Sequence, residues 1–476
     1  MQYREFPKTN VDTPDTKLGS GLKTLHLTMM VLGTASLAGL FLGTGVGIRA
    51  AGPSVLLAYM LAGAVIVCIM QMLGEMAAAR PASGSFSTYA EMAFGRWAGF
   101  SLGWLYWFML TMVLGAEMTG AAAFMGEWFG VEPWIPALIC VAFFAAVNLA
   151  QVGGFGEFEF WFAFIKVAVI VVFLVIGTLL IFGLLPGSEY VGTANFLGEA
   201  GFMPNGLSGW AAGLLAVAFA FGGIEIVTIA AAESSDPKNA IATAVRSVIW
   251  RISVFYLGAV LIITFLLPYA QIDGAKSAAE SPFTIILAKA NIPGIVGIME
   301  AVIVLALLSA FNAQIYATSR LCYSLAQRGD APAIFATTNS QGVPINAVLL
   351  SMVFAFASVG LQYWNPEGLL TFLLNAVGGC LVVMWIMIGL SYIKLRPELA
   401  KESNVSVRMW GWPWLPWLTV ASLIGLTLLM LADEGSRSQI TSVSVICVVL
   451  VVLSLIPRRR NASAHDELVH TQKDVR

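Results

Sequence analysis

The chain has 476 residues, of which 58% are hydrophobic and only 11% are charged. Soluble domains carry about 25% charged residues, so this composition excludes an ordinary soluble protein and indicates a polytopic membrane protein. The net charge of −2 provides no broad basic surface, and we expect no nucleic-acid partner.

Apolar stretches of about 20 residues, long enough to cross the lipid bilayer as helices, occur twelve times along the chain. They leave no room for a soluble catalytic domain. No nucleophile–base pair, metal cluster or cofactor motif is visible, so we expect neither an enzyme nor a cofactor. The predicted spans are 24–50, 53–78, 97–126, 133–152, 160–185, 208–232, 247–269, 294–323, 344–362, 368–393, 412–432 and 438–457.

The basic residues are distributed unequally between the two sides of these spans. If both termini lie on the same side, that side holds 20 of the 25 Lys and Arg residues. Cytoplasmic loops carry an excess of Lys and Arg. We therefore predict a multi-pass protein of the inner (plasma) membrane with both termini in the cytoplasm. The N-terminal region lacks the pattern of a cleaved signal peptide.

Two apolar segments contain residues that disfavour a continuous helix. Residues 33–47 contain five glycines, and residues 219–225 contain a Gly-Gly pair followed by an acid. Each glycine inside a helix costs about 0.5–1 kcal/mol relative to alanine. Opened backbone inside a membrane must line a cavity or be buried in protein, and paired interruptions indicate a transporter's substrate site.

Ionisable residues inside the spans are further candidates for function. Each costs roughly 2.5–3.5 kcal/mol at a helix centre, and Glu117, Lys166 and Glu225 lie in the third, fifth and sixth spans. The alternative for each is an internal salt bridge or a packing role. That structural role is favoured for Glu75, Glu157 and Glu159, and Arg49 is predicted to extend towards the membrane interface.

These features suit an amino acid zwitterion. The N–H groups of an opened half-helix suit its carboxylate, while backbone carbonyls and a nearby acid suit its ammonium. Phe219 and Phe221 could cover the site, although a packing role for Phe221 is equally consistent. A buried acid or lysine can exchange a proton near physiological pH, which coupling to a proton gradient requires.

Several long motifs resemble the amino acid–polyamine–organocation (APC) superfamily. Within it, the chain is most similar to the bacterial amino acid transporter family, and especially to 4-aminobutyrate (GABA) permeases. The motifs are AAGPSVLLAYMLAG (50–63), GSFSTYAEMAFGRWAGFSLGWLYWF (84–108), GEFEFW (156–161), GFMPNG (201–206), EIVTIAAAES (225–234), SVIWRISVFYL (247–257) and YATSRLCYSLAQRGDAPA (316–333), with a weaker match in RMWGWPW (408–414).

The resemblance implies an all-α membrane protein of 12 helices with the inverted five-plus-five repeat of the leucine transporter, in which helices one and six are unwound. It divides the chain into a cytoplasmic N-terminal tail (1–23), a ten-helix transport core (24–393), helices eleven and twelve (394–457) and a cytoplasmic C-terminal tail (458–476).

The resemblance also implies site residues. The family's Gly-Ser/Thr-Gly segment of helix one falls on Leu37, Ala38 and Gly39, which departs from that pattern, and Ser36 could supply the absent hydroxyl. Lys166 matches the family's helix-five lysine, which occupies the place that a sodium ion takes in sodium-coupled relatives. This favours protons over sodium as the coupling ion. The remaining implied residues are Phe219, Ala220, Gly222, Gly223 and Glu225 of helix six, Glu117 of helix three, and Ser309 and Asn312 of helix eight.

Three functions are consistent with these observations. The first is proton-coupled import of an amino acid, and GABA is the first hypothesis for that amino acid. The second is a permease or exchanger for another amino acid, such as proline, asparagine or an aromatic one. The third is a transport-deficient sensor, suggested by the altered helix-one motif. The sequence does not predict an oligomeric state.

Overall fold

Long apolar helices build the whole of the described structure. The structure is a computed structural model that describes residues 36–80, 85–150, 155–197, 201–223, 225, 237–272, 281–339, 342–364, 369–401, 407–431 and 434–456. None of these residues lies in a β-strand. This agrees with the all-helical prediction, because a helix satisfies its backbone hydrogen bonds within one segment.

The first seven helices include one short helix and one very long one. The short helix α3 has 10 residues and is followed by the 34-residue α4. The bounds are α1 Ser36–Ala51, α2 Val55–Ala79, α3 Ser85–Phe94, α4 Arg96–Phe129, α5 Trp134–Ala150, α6 Phe155–Ile181 and α7 Gly206–Ala220.

The remaining helices repeat that order. A π-helical segment, Arg251–Tyr256, joins α8 to α9. The short α10, of 8 residues, precedes the 33-residue α11. The bounds are α8 Pro237–Trp250, α9 Leu257–Leu266, α10 Pro282–Lys289, α11 Ile295–Gln327, α12 Ile345–Trp364, α13 Leu369–Leu399, α14 Trp414–Met430 and α15 Glu434–Ser454.

Eight helical stretches in the described part of the chain are long and apolar enough to cross a membrane, and three shorter apolar helices accompany them. One of the eight runs from Gly43 to Ala79 and includes α1 and α2. The chain reverses between them at Gly52, whose φ is +64°. The Thr44 and Tyr59 hydroxyls lie 3.1 Å apart across this hairpin, so α1 and α2 are antiparallel neighbours.

Helices α1 and α7 pack closely and antiparallel. A Cβ atom at Gly213 would lie 3.0 Å from Ala51 Cβ, and one at Gly47 would lie 3.7 Å from Val217 Cγ2. The two contacts have the same residue-number sum, as an antiparallel pair requires. In this register, Ala220 at the end of α7 lies level with Thr44 of α1, so the end of α7 adjoins the first glycine-rich segment.

The two longest helices, α4 and α11, are also antiparallel along their length. A Cβ atom at Gly103 would lie 2.7 Å from Leu325 Cδ2 at one end. At the other end, Trp128 Nε1 donates to Glu300 Oε2 at 2.9 Å. Helices α1 and α7, and likewise α4 and α11, are therefore direct neighbours.

Candidate functional site

Helix α7 ends at the Gly-Gly pair. Its last residue is Ala220, and Phe221, Gly222 and Gly223 form a turn. Gly223 has a φ of +87°, a left-handed conformation that glycine adopts without a Cβ clash. The sequence predicted an interruption here. Ile224 and residues 226–236 lie outside the described residues.

The carboxylate of Glu225 folds back onto this interruption. Its Oε1 accepts a hydrogen bond from the backbone N–H of Gly223 at 3.3 Å, and the residue is 1% exposed. An acid at a helix interruption satisfies a backbone donor that would otherwise be lost. In this conformation, at least one N–H that the sequence assigned to a substrate carboxylate is occupied by the protein's own acid.

The first glycine-rich segment differs from the expected opened form. From Ser36 to Ala51 the backbone is a single α-helix, so the stretch 37–39 is helical rather than unwound. The glycines at 45 and 47 instead allow close contacts with Pro282, Val55 and Val217. The side chains of Ser36, Leu37 and Ala38 lie outside the described residues, as do residues 33–35 and the Phe219 side chain.

Lys166 of α6 and Ser309 of α11 meet inside the bundle. The Lys166 ammonium donates to Ser309 Oγ at 2.9 Å. Lys166 is 1% exposed and Ser309 is 3% exposed. An ammonium in this environment is costly unless polar or charged groups compensate it, and Ser309 is one such group. The structure thus joins two of the predicted site residues.

Glu117 lies at the same level of the bundle. The α4–α11 register places it opposite position 311, two residues from Ser309. Glu117 is 1% exposed and interacts electrostatically with Lys166. Its Oε2 atom has no hydrogen-bond partner among the described residues. A buried acid beside a buried ammonium, with one acceptor atom unused, can take up a proton or accept a hydrogen bond from a substrate ammonium.

Asn312 faces a different neighbour. Its Oδ1 accepts a hydrogen bond from Asn148 Nδ2 of α5 at 2.8 Å. The amide pair links α5 to α11, whereas Ser309, about one turn earlier, points to α6. The geometry therefore brings Ser309, Lys166 and Glu117 together and orients Asn312 towards α5.

Phe221 contributes to an aromatic cluster next to the interruption. Its ring stacks on Tyr256 with centroids 5.0 Å apart and meets Tyr59 edge-on at 5.8 Å. All three are fully buried. This arrangement supports the packing role for Phe221. The Tyr59 hydroxyl is paired with Thr44, which connects the cluster to α1.

Sequence reasoning missed Tyr106 of α4. Its fully buried hydroxyl interacts electrostatically with the Glu225 carboxylate. Tyr106 precedes Glu117 by 11 residues, which is about three helical turns, so both lie on one face of α4. This spacing is the sequence feature from which Tyr106 could have been predicted as a site residue. One face of α4 therefore carries both the residue that interacts with Glu225 and the residue that interacts with Lys166.

Two of the remaining ionisable candidates, Glu75 and Arg49, make contacts that stabilise the fold. Glu75 Oε2 accepts hydrogen bonds from the Tyr392 hydroxyl at 2.6 Å and the Met409 N–H at 2.8 Å. This supports its predicted packing role. Arg49 is exposed and donates to the Ala270 carbonyl at 3.1 Å, so it also holds a loop. The side chains of Glu157 and Glu159 lie outside the described residues.

No group of three or more His, Cys, Asp or Glu residues that could hold a metal ion occurs among the described residues. The described site contains one lysine, buried acids, hydroxyls and an interrupted helix. Together with the membrane-length helices, these features define a class of protein, the helical membrane transporter.

Comparison with known proteins identifies the family. The family model described as "Amino acid permease" matches residues 26–460, and the chain belongs to this family. Its curated relatives carry the names of transport proteins and permeases rather than of enzymes.

Two relatives and one solved structure illustrate the similarity. The "Aromatic amino acid transport protein AroP" of Corynebacterium glutamicum is 72% identical, over 92% of this chain and 95% of that protein. The "Gamma-aminobutyric acid permease" of Bacillus subtilis is 38% identical, over 95% and 97%. The fold resembles the crystal structure of an Eremococcus coleocola manganese transporter mutant, with a TM-score of 0.53 and 15% identity over 92% of this chain and 95% of that one.

Proposed function

We propose that this amino acid permease imports aromatic amino acids by proton symport. We propose an aromatic substrate, which was one of the alternatives from the sequence, in place of GABA, which was the first hypothesis. It is supported by the name of the relative at 72% identity, against 38% for the GABA permease. This difference in sequence identity favours a substrate related to the aromatic amino acids named for the more similar relative.

The observation that carries the coupling mechanism is the buried ammonium of Lys166, 2.9 Å from Ser309 Oγ and in electrostatic contact with Glu117. The lysine holds a fixed positive charge, so no sodium ion is needed there. Glu117 takes up the coupling proton, and the proton and substrate then cross together. Glu225 is the second acidic group. It releases the Gly223 N–H and binds the substrate instead.

The substrate lies between α1 and α7, next to α4 and α11. Its carboxylate binds N–H groups of residues 36–39 in the first turn of α1. Its ammonium binds the carbonyls left free at the end of α7, beside Gly222 and Gly223. Its side chain extends along α4, where the small buried residues Ala116, Gly120 and Ala121 surround Glu117 and leave room for a ring. Phe219 and Ala220, the last two residues of α7, complete the proposed site.

The repeated order of helices supports a twelve-span protein with an inverted five-plus-five repeat, residues 24–393, followed by two helices in 394–457. The Lys and Arg asymmetry supports an inner-membrane location with the tails, 1–23 and 458–476, in the cytoplasm.

Purified protein in proteoliposomes tests this function. With an inward proton gradient we expect accumulation of labelled tryptophan or phenylalanine, collapse by a protonophore, and no effect of removing sodium. Unlabelled aromatic amino acids should compete, whereas GABA, proline and asparagine should not. Competition by GABA alone would restore the first substrate hypothesis. Counterflow without gradient-driven accumulation would identify an exchanger, and binding without flux a sensor.

A further inference from the structure

The end of the segment that joins α13 to α14 is covered by the bundle on one face. In residues 407–410, buried and exposed side chains alternate, with Val407 and Met409 inside and Arg408 and Trp410 outside. This two-residue period is that of an extended chain with one covered face. The segment thus presents a defined outer face.

Hydrogen bonds and ring contacts hold that face in place. The backbone N–H of Met409 donates to the buried Glu75 carboxylate at 2.8 Å. The Arg396 guanidinium lies 5.7 Å from the Trp412 ring centroid, and its Nε lies 3.4 Å from Glu75 Oε1. A buried acid therefore anchors both the segment and the arginine beside it, and the outward side chains project from fixed backbone.

The outward side chains are mostly tryptophans. Trp410 is 52% exposed and Trp414 is 82% exposed. Tryptophan is enriched where lipid headgroups meet acyl chains, because its ring is apolar and its N–H is polar. We name the exposed set the 408–417 strip; it consists of Arg408, Trp410, Trp412, Trp414 and Trp417.

Basic residues surround the strip in excess. Residues 394–408 contain Lys394, Arg396, Lys401 and Arg408, against two acids, Glu398 and Glu402. Glu398 already pairs with Arg80 at 3.6 Å. Lys401 and Arg408 are exposed, and neither has an acidic partner within the described part of the chain. Both cations are therefore exposed, with Arg408 two residues and Lys401 nine residues before Trp410 in the chain.

We propose that the 408–417 strip, with Lys401, binds the headgroup of an anionic phospholipid in the cytoplasmic leaflet. Arg408 and Lys401 bind the phosphate, since juxtamembrane basic residues attract anionic lipids. The tryptophan rings lie along the glycerol and upper acyl chains. A soluble anion would bind the cations but leave these rings in water, so the tryptophans favour a lipid. This proposal does not depend on the identity of the transported substrate.

Photo-crosslinking tests the proposal. The full-length protein is reconstituted in phosphatidylcholine vesicles that contain a photo-reactive phosphatidylglycerol, or a photo-reactive phosphatidylcholine at equal content, and adducts are mapped by mass spectrometry. We expect several-fold more adducts on residues 407–417 with phosphatidylglycerol. The double variant Lys401→Gln/Arg408→Gln should reduce this labelling to the level seen with phosphatidylcholine.

Arg246→Gln is the matched control. Arg246 is also exposed and lies on the same predicted side, on α8, but outside the strip, so it should leave the labelling unchanged. Unchanged labelling of other peptides shows that the double variant remains folded. Equal labelling by the two lipids, or labelling that survives the double substitution, would overturn the proposal.

Discussion

A lysine ammonium inside a membrane bundle needs groups that compensate its charge, and Lys166 has Ser309 Oγ at 2.9 Å and Glu117 nearby. Removing a fixed positive charge from this cluster changes the cost of protonating Glu117. This surrounding supports the proposed role of the lysine in coupling rather than in substrate contact.

For Lys166→Ala we expect gradient-driven accumulation to fall from about a hundredfold, which one coupled proton supports, to equilibrium. Substrate binding and exchange should survive, because neither needs the proton. Proteoliposome uptake and counterflow measure the two. Lys394→Ala, at an exposed lysine, is the control. Full accumulation in Lys166→Ala would remove the coupling role.

Ser309→Ala tests the contact itself. It leaves the ammonium buried with one hydrogen-bond acceptor fewer, and we expect a smaller loss, about tenfold in uptake rate, since one such bond to a charged group is worth about 1.5–3 kcal/mol. Ser351→Ala removes an equally buried hydroxyl that bonds only within its own helix in the described contacts. Equal effects of the two substitutions would show a general packing loss.

Glu117→Gln fixes the side chain in a neutral form of similar shape. If Glu117 carries the coupling proton, the pH dependence of uptake should flatten and substrate affinity should fall about tenfold. Uptake measured across pH 5–8 gives the profile, with Glu300→Gln, an acid at the outer end of α11 that bonds Trp128, as the control. A wild-type profile would return Glu117 to the packing residues.

At the scale of elements, α1 and α7 form a close helix pair, where small residues let two backbones approach. This is how helices associate in lipid, since contact between apolar side chains offers little advantage over contact with acyl chains. The pair adjoins the α7 interruption, so its spacing also sets the width of the candidate site.

Gly213→Leu should separate these helices. A Cβ atom there would lie 3.0 Å from Ala51 Cβ and 3.2 Å from the Gly47 carbonyl oxygen, and overpacking costs about 1–3 kcal/mol. We expect a lower thermal midpoint in detergent and weaker substrate binding. Gly425→Leu is the matched control, because no atom lies within 4 Å of a Cβ at Gly425. An unchanged midpoint for Gly213→Leu would contradict the packing argument.

At the scale of the whole molecule, the repeated helix order and the charge asymmetry together predict the orientation. Cysteines introduced at Arg4 and Arg459 should resist a membrane-impermeant maleimide in intact cells, whereas one at Arg437 should react. Permeabilised cells should label all three. The wild-type protein measures the background from its five native cysteines. Labelling of Arg4→Cys in intact cells would reverse the topology.

The sequence by itself determined the membrane class, the all-helical architecture and the α7 interruption. Each depends on local composition: long apolar runs must be helical in lipid, and a Gly-Gly pair followed by an acid weakens a helix wherever it lies. It also identified Glu117, Lys166 and Glu225, because a charge inside an apolar run is conspicuous without knowledge of its partners.

Only the tertiary structure decided how these residues are used. A glycine can open a helix or let another helix approach, and the sequence is the same in both cases; in α1 the described glycines serve the approach to α2, α7 and α10. The rotation of α11 directs Ser309 to Lys166 and Asn312 to Asn148. The electrostatic interaction of Tyr106 with Glu225 likewise depends on packing between α4 and the α7 interruption, since the two residues are more than a hundred positions apart in the chain.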